Sequence, residues 1–306
     1  MDDPSKISAA PPPRLVLSAL GFLVFSGMLL GSGLVGVACE LQGIDLVEVF
    51  KNFSPGSDLQ MRNFMRGALL INHVMSFLLP AVLLAWLFNR AQYSLPLSLE
   101  NPPNLVTLGL GIFFIMTAFP LAQEVFQAER WMFEKLPALK SWTETETATE
   151  NLTIGLLVMQ SPWELLFNLL VMAAVPAIGE EMVFRGILQQ NLERWLKKPA
   201  LSVGLSALVF SLAHLQVQRF LAIMLLGVVL GLLFYWTRNL WVSIAAHFFN
   251  NGVQVVVAWF NQEKIGELNG AQEQEIPLTF TLVSLGLMLV IGNELRKRRS
   301  LEKADF

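Results

Sequence analysis

The stretch 179–186 carries two carboxylates and a guanidinium inside an otherwise apolar segment. Glu181 and Arg185 are four residues apart, a spacing that places them on one side of a helix and lets them form an ion pair. Glu180 is rotated about 100° from Glu181 around the helix axis and has no partner at that spacing. One carboxylate is therefore held by an arginine, while its neighbour stays available for a substrate, a proton or a metal ion.

The chain has only three histidines, and all of them lie in apolar segments. His214 ends the motif Phe210-x-x-x-His214. His247 and Asn251 are four residues apart, so both point to one face of their helix. His73 has no comparable motif around it, and we interpret it as a packing residue of a helix bundle.

Carboxylate, imidazole and amide groups buried together have several chemical uses. They can form hydrogen bonds that hold helices together, a proton path, a metal site or a hydrolytic centre. In a hydrolytic centre, Glu180 would act as general base on a water molecule, aided by His214. His247 and Asn251 would then donate hydrogen bonds to the developing oxyanion.

A metal ion is the main alternative for activating the water. Glu180, His214 and His247 are suitable zinc ligands, and an open fourth position would hold the water. No cofactor is otherwise indicated, and the sequence leaves a zinc-dependent and a metal-free mechanism open. The sequence contains neither a Gly-x-Ser-x-Gly elbow nor a His-Glu-x-x-His zinc helix. Serine and zincin-type mechanisms are therefore disfavoured.

The composition indicates a protein that crosses a membrane several times. Of its 306 residues, 54% are hydrophobic and 15% are charged, whereas a typical soluble domain has roughly 25% charged residues. The net charge of −3 gives no basic surface, so nucleic acid is not an expected partner. The single cysteine, Cys39, excludes an internal disulfide and a cysteine-based structural zinc site.

Eight segments are long and apolar enough to predict membrane-spanning helices, because about 20 residues at ~1.5 Å each cover a ~30 Å hydrocarbon core. Two segments outside them mix charges with large apolar side chains, which predicts amphipathic helices at the outer interface; these are 44–66 and 124–142. The predicted fold is an all-α polytopic bundle. The predicted spans are 15–38, 67–88, 105–123, 164–189, 201–217, 220–236, 240–260 and 278–293.

The distribution of basic residues predicts that both termini face the cytoplasm. With eight alternating spans, 13 of the 21 Lys and Arg residues lie on the side of the termini, four of them in the run 296–299. Counted from the cytoplasmic ends of their helices at ~1.5 Å per residue, Glu180, His247 and His214 lie roughly 15, 10 and 20 Å deep. We therefore expect Glu, His, His and Asn to meet in one middle layer of the bilayer.

The ordered set of motifs resembles the CPBP family, which contains the type II CAAX prenyl proteases and their bacteriocin-processing relatives. The resemblance covers about residues 160–260, and every motif residue is present. It implies an intramembrane endopeptidase in which Glu180 and His214 activate water and His247 and Asn251 stabilise the oxyanion. The family is described with both metal-dependent and metal-free mechanisms, so the resemblance leaves the role of a metal open. The motifs are Glu180-Glu181-x-x-x-Arg185, Phe210-x-x-x-His214 and His247-x-x-x-Asn251.

Our leading hypothesis is therefore an endopeptidase that cuts a membrane-associated protein or peptide within the bilayer, with Glu181 and Arg185 supporting Glu180. The alternatives are a non-catalytic membrane factor of the same fold, such as a bacteriocin-immunity or scaffold protein, and a proton-coupled transporter. We predict a multi-pass protein of a bacterial inner membrane. The predicted units are an N-terminal membrane region at 1–150, a catalytic core at 151–265, and a last span with a basic cytoplasmic tail at 266–306.

Overall fold

The protein is a bundle of long helices in a computed structural model that describes residues 10–91, 93, 95, 97–136, 149–267 and 276–304. These described residues include no β-strand, which confirms the predicted all-α fold. Ten α-helices and two short 3₁₀ turns, Val217–Arg219 and Gln262–Glu267, make up the described part. The helices are α1 (Pro13–Gln42), α2 (Leu46–Asn52), α3 (Leu59–Arg90), α4 (Leu105–Lys135), α5 (149–156), α6 (Pro162–Leu196), α7 (Pro199–Ala213), α8 (Phe220–Thr237), α9 (Leu240–Phe260) and α10 (Leu278–Ala304).

Seven of these helices are long and apolar enough to cross a membrane, namely α1, α3, α4, α6, α8, α9 and α10. The protein is therefore an integral, multi-pass membrane protein. Their outward faces carry exposed Leu, Phe, Val and Trp side chains, a surface that suits lipid and not water. The helix α6 is the most buried of the seven, whereas α1, α3 and α10 are the most exposed. The central position of α6 places the 179–186 motif inside the bundle.

The fifth predicted span is shorter in the structure than the sequence indicated. Helix α7 has 15 residues and ends at Ala213, so it is about 22 Å long. The chain then turns, with Leu215 in the left-handed region at φ 55°. His214 consequently lies at the end of α7 and not within a continuous span, at the tip of the α7–α8 hairpin.

The two segments predicted as amphipathic outer helices are only partly separate elements. Within 44–66, the short α2 is followed by the first turns of α3. Within 124–142, residues up to Lys135 simply continue α4 beyond the predicted end of the third span. The rest of that segment, from residue 137 onwards, lies outside the described residues.

Helices α3 and α6 each contain a π-helical segment that ends two residues before a proline. In α3 the segment Val74–Leu78 precedes Pro80, and in α6 the segment Leu169–Ala174 precedes Pro176. Proline cannot donate a backbone hydrogen bond, and its ring clashes with the carbonyl four residues earlier. Local widening of the helix accommodates the ring, and such π-bulges are frequent at functional sites.

A second π-helical segment of α6, Met182–Gln189, follows Glu181 directly and contains Arg185. Two of the three π-helical segments therefore directly follow a titratable residue. His73 immediately precedes the π segment of α3, and Glu181 immediately precedes the second π segment of α6.

Helices α1 and α3 approach each other closely at Gly27, as the Gly-x-x-x-Gly spacing with Gly31 suggests. A Cβ atom on Gly27 would lie 1.9 Å from the carbonyl oxygen of Met75. We therefore expect Gly27→Ala to push α1 from α3 and to lower the free energy of unfolding by about 1–3 kcal/mol. The thermal unfolding midpoint in detergent micelles measures this loss.

Gly33 provides the matched control on the same helix, because nothing lies within 4 Å of a Cβ placed there. Gly33→Ala is expected to leave the midpoint unchanged or to raise it, since alanine favours a helix over glycine by up to about 1 kcal/mol. Equal midpoints for Gly27→Ala and Gly33→Ala would contradict the close contact between α1 and α3.

Candidate active site

The predicted ion pair between Glu181 and Arg185 is present and fully buried. The Nη1 atom of Arg185 lies 2.7 Å from Oε1 of Glu181. The Nη2 atom of Arg185 donates to the carbonyl of Gly227 on α8 at 2.9 Å. The guanidinium also lies 4.6 Å from the centre of the Phe210 ring on α7, a favourable cation–π arrangement. Arg185 thus connects α6 with α7 and α8 while it neutralises Glu181.

Glu181 also fixes the orientation of His247. The Nδ1 atom of His247 lies 2.9 Å from Oε1 of Glu181. A carboxylate can only accept a hydrogen bond, so Nδ1 carries the proton and donates. The Nε2 atom of His247 is therefore left for other contacts. The same carboxylate oxygen is shared by an arginine and a histidine, which makes Glu181 a link between Arg185 and His247.

Glu180 is the meeting point of all three histidines of the chain. The Nε2 atom of His73 lies 3.4 Å from Oε1 of Glu180. The Nε2 atoms of His214 and His247 each lie 3.9 Å from Oε2 of Glu180. Three rings, from helices α3 and α9 and from the end of α7, thus converge on one carboxylate of α6.

Each histidine is held at Nδ1 by an acceptor, so that its Nε2 atom faces Glu180. His73 Nδ1 lies 3.2 Å from the carbonyl of Leu69, and His214 Nδ1 lies 2.8 Å from the carbonyl of Phe210. Carbonyl oxygens accept and do not donate, so Nδ1 is the donor in both rings. Together with the Glu181 contact of His247, these bonds fix the orientation of all three rings.

The Oε2 atom of Glu180 is buried and has no hydrogen-bond partner among the described residues. A buried polar atom without a hydrogen-bond partner lowers the free energy of unfolding by about 1–3 kcal/mol. The loss is larger when the group is charged. The two Nε2 atoms at 3.9 Å are too far for a direct hydrogen bond. A water molecule about 2.8 Å from Oε2 would be within hydrogen-bond distance of either nitrogen, because two such contacts span 3.9 Å.

The site is closed on one side and more open on the other. The side chains of Glu180 and His247 are both 6% exposed, whereas those of His73 and His214 are 22% and 29% exposed. The rings of Phe184 and Phe210 pack edge to face at 5.1 Å beside the site. His73 and His214 are thus the partly exposed members of the cluster, whereas Glu180 and His247 are enclosed.

The side chain of Asn251 is hydrogen-bonded to the backbone of α6. Its Nδ2 atom donates to the carbonyl of Met172 at 3.3 Å, and its Oδ1 atom accepts from Asn250 at 3.1 Å. Pro176, four residues later, has no N–H, so the Met172 carbonyl lacks the donor that a regular α-helix would supply. The predicted contact of Asn251 with an oxyanion stays a prediction that requires the Nδ2 donor to turn from Met172.

The structure gives His73 a contact with Glu180 that its interpretation as a packing residue did not predict. The ring points its Nε2 atom at the central carboxylate and not into the apolar core. The position of His73 along its helix could have identified it from the sequence. Counted along the axis from the N-terminal ends of α3 and α6 at ~1.5 Å per residue, His73 lies about 21 Å and Glu180 about 27 Å from those ends. These similar positions were not noticed because no sequence motif surrounds His73.

The predicted zinc ligands lie farther apart than zinc requires. Tetrahedral nitrogen and oxygen ligands about 2.1 Å from zinc are about 3.4 Å apart. The 3.9 Å separations of His214 and His247 from Glu180 are longer. Among the described residues, no group of three or more His, Cys, Asp or Glu side chains is placed to hold a metal ion. The side chains as placed therefore do not fit the ion.

Comparisons with known proteins agree with the motifs. Residues 162–253 match the family model described as type II CAAX prenyl endopeptidase, Rce1-like. The chain is also 26% identical over 117 residues to the uncharacterized protein YpbD of Bacillus subtilis (strain 168). That alignment covers 36% of this chain and 57% of YpbD, so it spans little more than half of the relative. No solved structure matches the chain.

The matched segment runs from the start of α6 into α9 and contains Glu180, His214, His247 and Asn251. His73 lies outside it. The resemblance predicted from the three motifs is thus confirmed: over residues 162–253, the chain is similar to the type II CAAX prenyl endopeptidases.

Proposed function

We propose that this protein is an intramembrane endopeptidase that hydrolyses a peptide bond of a membrane-associated protein or peptide. The observation that carries the proposal is the unpartnered Oε2 atom of Glu180, buried between the Nε2 atoms of His214 and His247. A carboxylate in that position can bind a water molecule and take its proton. The similarity of residues 162–253 to CAAX endopeptidases supports the same chemistry.

In the proposed reaction, Glu180 removes a proton from the water held at Oε2 as the water oxygen attacks the peptide carbonyl carbon. A C–O bond forms, and the carbonyl oxygen becomes an oxyanion. Glu180 then passes the proton to the leaving amine as the C–N bond breaks, which balances the hydrolysis. His214 holds the water together with Glu180.

Stabilisation of the oxyanion is assigned to His247 and Asn251. His247 would donate from Nε2 in its protonated form, because its Nδ1 atom is already bound to Glu181. Asn251 would donate from Nδ2 after it leaves the Met172 carbonyl. A donor fixed in advance, as His247 is by Glu181, commonly contributes about 3–4 kcal/mol to the transition state, whereas Asn251 must first break its bond to Met172.

The proposal also includes the topology of the protein, its location, its domains and its substrate. We place both termini in the cytoplasm and the protein in a bacterial inner membrane, as the distribution of basic residues suggests. Residues 151–265 form the proposed catalytic core, flanked by a membrane region at 1–150 and by a last span with a basic tail at 266–306. The substrate is membrane-associated, with or without a prenyl group.

Substrate trapping with Glu180→Gln tests the proposed function. The glutamine keeps the size of the side chain but cannot act as a base, so bound substrate should stay intact. We expect membrane peptides to co-purify with Glu180→Gln more strongly than with the wild-type chain. Each captured peptide should then be cut when it is added to wild-type protein in lipid nanodiscs, and mass spectrometry identifies the new ends.

Two outcomes of the trapping experiment would overturn the proposal. Recovery of no peptide enriched over wild type would favour a non-catalytic membrane factor. Proton-coupled flux in liposomes without any cleavage product would favour a transporter.

Metal removal provides a separate prediction about mechanism. Because the distances around Glu180 are too long for shared zinc ligation, we expect cleavage by the wild-type chain to survive treatment with a chelator. The rate should stay within about twofold of the untreated rate, since the carboxylate and imidazole groups supply the acid–base chemistry. Metal analysis of the same sample checks that removal is complete. Loss of activity on chelation and recovery with Zn²⁺ would contradict the metal-free reaction.

A further inference from the structure

His73 lies outside the segment that resembles CAAX endopeptidases and outside all three sequence motifs. It is nevertheless the histidine whose Nε2 atom comes nearest to Glu180, at 3.4 Å compared with 3.9 Å for the other two. It is supplied by α3, a helix of the N-terminal membrane region. A residue of this region therefore reaches the proposed catalytic carboxylate.

The three histidines divide the two oxygens of Glu180 between them. His73 faces Oε1, whereas His214 and His247 both face Oε2. Oε2 has no hydrogen-bond partner among the described residues and is the oxygen assigned to the water. A contact at Oε1 that keeps the carboxylate from rotating would hold Oε2 toward His214 and His247.

The surroundings of His73 fix its ring. Its Nδ1 atom donates to the Leu69 carbonyl one turn earlier, and its ring centre lies 6.0 Å from that of Phe77. The following π segment, which includes Met75, packs directly on Gly27 of α1. The backbone of α3 also lies close to α6, where a Cβ atom on Gly179 would be 3.1 Å from the nitrogen of Leu78. Helix α3 is thereby wedged between α1 and α6, with His73 aimed at Glu180.

We propose that His73 is a positioning residue for Glu180: as an imidazolium, which carries a proton on each ring nitrogen, it donates from Nε2 to Oε1 and so directs Oε2 toward the attacking water. The inference rests on the proposed function and assigns the N-terminal membrane region a direct part in the catalytic site. A histidine used only for packing would not need its Nε2 atom near the carboxylate, and an apolar residue of similar size would serve equally well.

Two substitutions distinguish the contact that Nε2 of His73 makes with Glu180 from the contact that Nδ1 makes with Leu69. In His73→Gln, the amide nitrogen falls near the position of Nε2 and can still donate to Oε1 of Glu180. In His73→Asn, the amide nitrogen falls near the position of Nδ1, so it keeps the Leu69 contact and loses the Glu180 contact. Ser76→Ala is the control for a general disturbance of α3, because the Ser76 hydroxyl donates to Asn72 and not to the site.

The first readout is the initial rate of cleavage of a farnesylated CAAX-type peptide that carries a fluorophore and a quencher. We expect His73→Asn to lower kcat about 10- to 100-fold with little change in KM, because a misplaced base slows the chemical step. His73→Gln should recover kcat to within a few-fold of wild type, and Ser76→Ala should match wild type. Equal rates for His73→Asn and His73→Gln would overturn the proposal.

The second readout does not depend on cleavage. In chain labelled with ¹⁵N-histidine in lipid nanodiscs, the Nε2 resonance of His73 should shift on Glu180→Gln and stay in place on Ser76→Ala. An unchanged resonance in Glu180→Gln would overturn the contact on which the proposal depends. If the wild-type chain cuts neither this peptide nor any peptide captured by Glu180→Gln, the proposed function fails, and the resonance alone decides whether His73 binds Glu180.

Discussion

Glu180→Gln is expected to lower the rate of peptide cleavage about 1,000- to 10,000-fold, because it removes the general base and leaves the rest of the site in place. Glutamine has nearly the same shape as glutamate, and its Oε1 atom can still face His73. The loss should therefore appear in kcat, with folding and substrate binding retained. Initial rates of the purified chain in lipid nanodiscs measure the effect, and the thermal unfolding midpoint checks the fold.

Glu129→Gln is the matched control, since Glu129 is also a buried glutamate of a membrane-spanning helix. Its carboxylate accepts from the backbone nitrogens of Leu221 and Ala222 and thus caps the start of α8. We expect this variant to cleave at nearly the wild-type rate. A Glu180→Gln variant that keeps more than about a tenth of the wild-type rate would be incompatible with a general base at this position.

Removal of Arg185 should have the largest effect on stability. Arg185→Met would leave the carboxylate of Glu181, which is fully buried, without its cationic partner. Breaking a buried ion pair by removal of one partner costs about 3–5 kcal/mol. The Gly227 carbonyl would also lose its donor. We expect a much lower thermal unfolding midpoint and a reduced yield of folded protein.

The double variant Arg185→Met, Glu181→Leu separates stability from catalysis. It removes both members of the ion pair, so neither is left without its partner, and such replacements are often neutral or stabilising. We expect the unfolding midpoint to recover. Cleavage should stay low, because His247 has lost the carboxylate that orients its Nδ1 atom. Full recovery of cleavage would show that Glu181 is not needed to position His247.

The sequence was sufficient to predict the elements that depend on local patterns. The eight apolar segments correspond to helices, because the length of a span follows from the thickness of the bilayer. The Glu181–Arg185 pair follows from helical periodicity alone. Both predictions use distances within one helix, which regular helical geometry sets closely.

Contacts between helices were harder to predict from the sequence. His73 was missed because nothing in α3 alone shows that its ring faces α6. The early end of α7 depends on the left-handed conformation of Leu215, which a non-glycine residue rarely adopts. The link from Asn251 to Met172 depends on how α9 packs against the neighbouring helix α6. Tertiary packing determines each of these features.

The most direct test of a catalytic Glu180 is a comparison of peptide C-termini in membranes from cells that express the wild-type chain or Glu180→Gln at matched levels. Mass spectrometry of all membrane-associated peptides works without an identified substrate. We expect a defined set of new C-termini with the wild-type chain and their absence with Glu180→Gln, while the intact precursors accumulate. Identical C-termini in both membranes would contradict a catalytic role for Glu180.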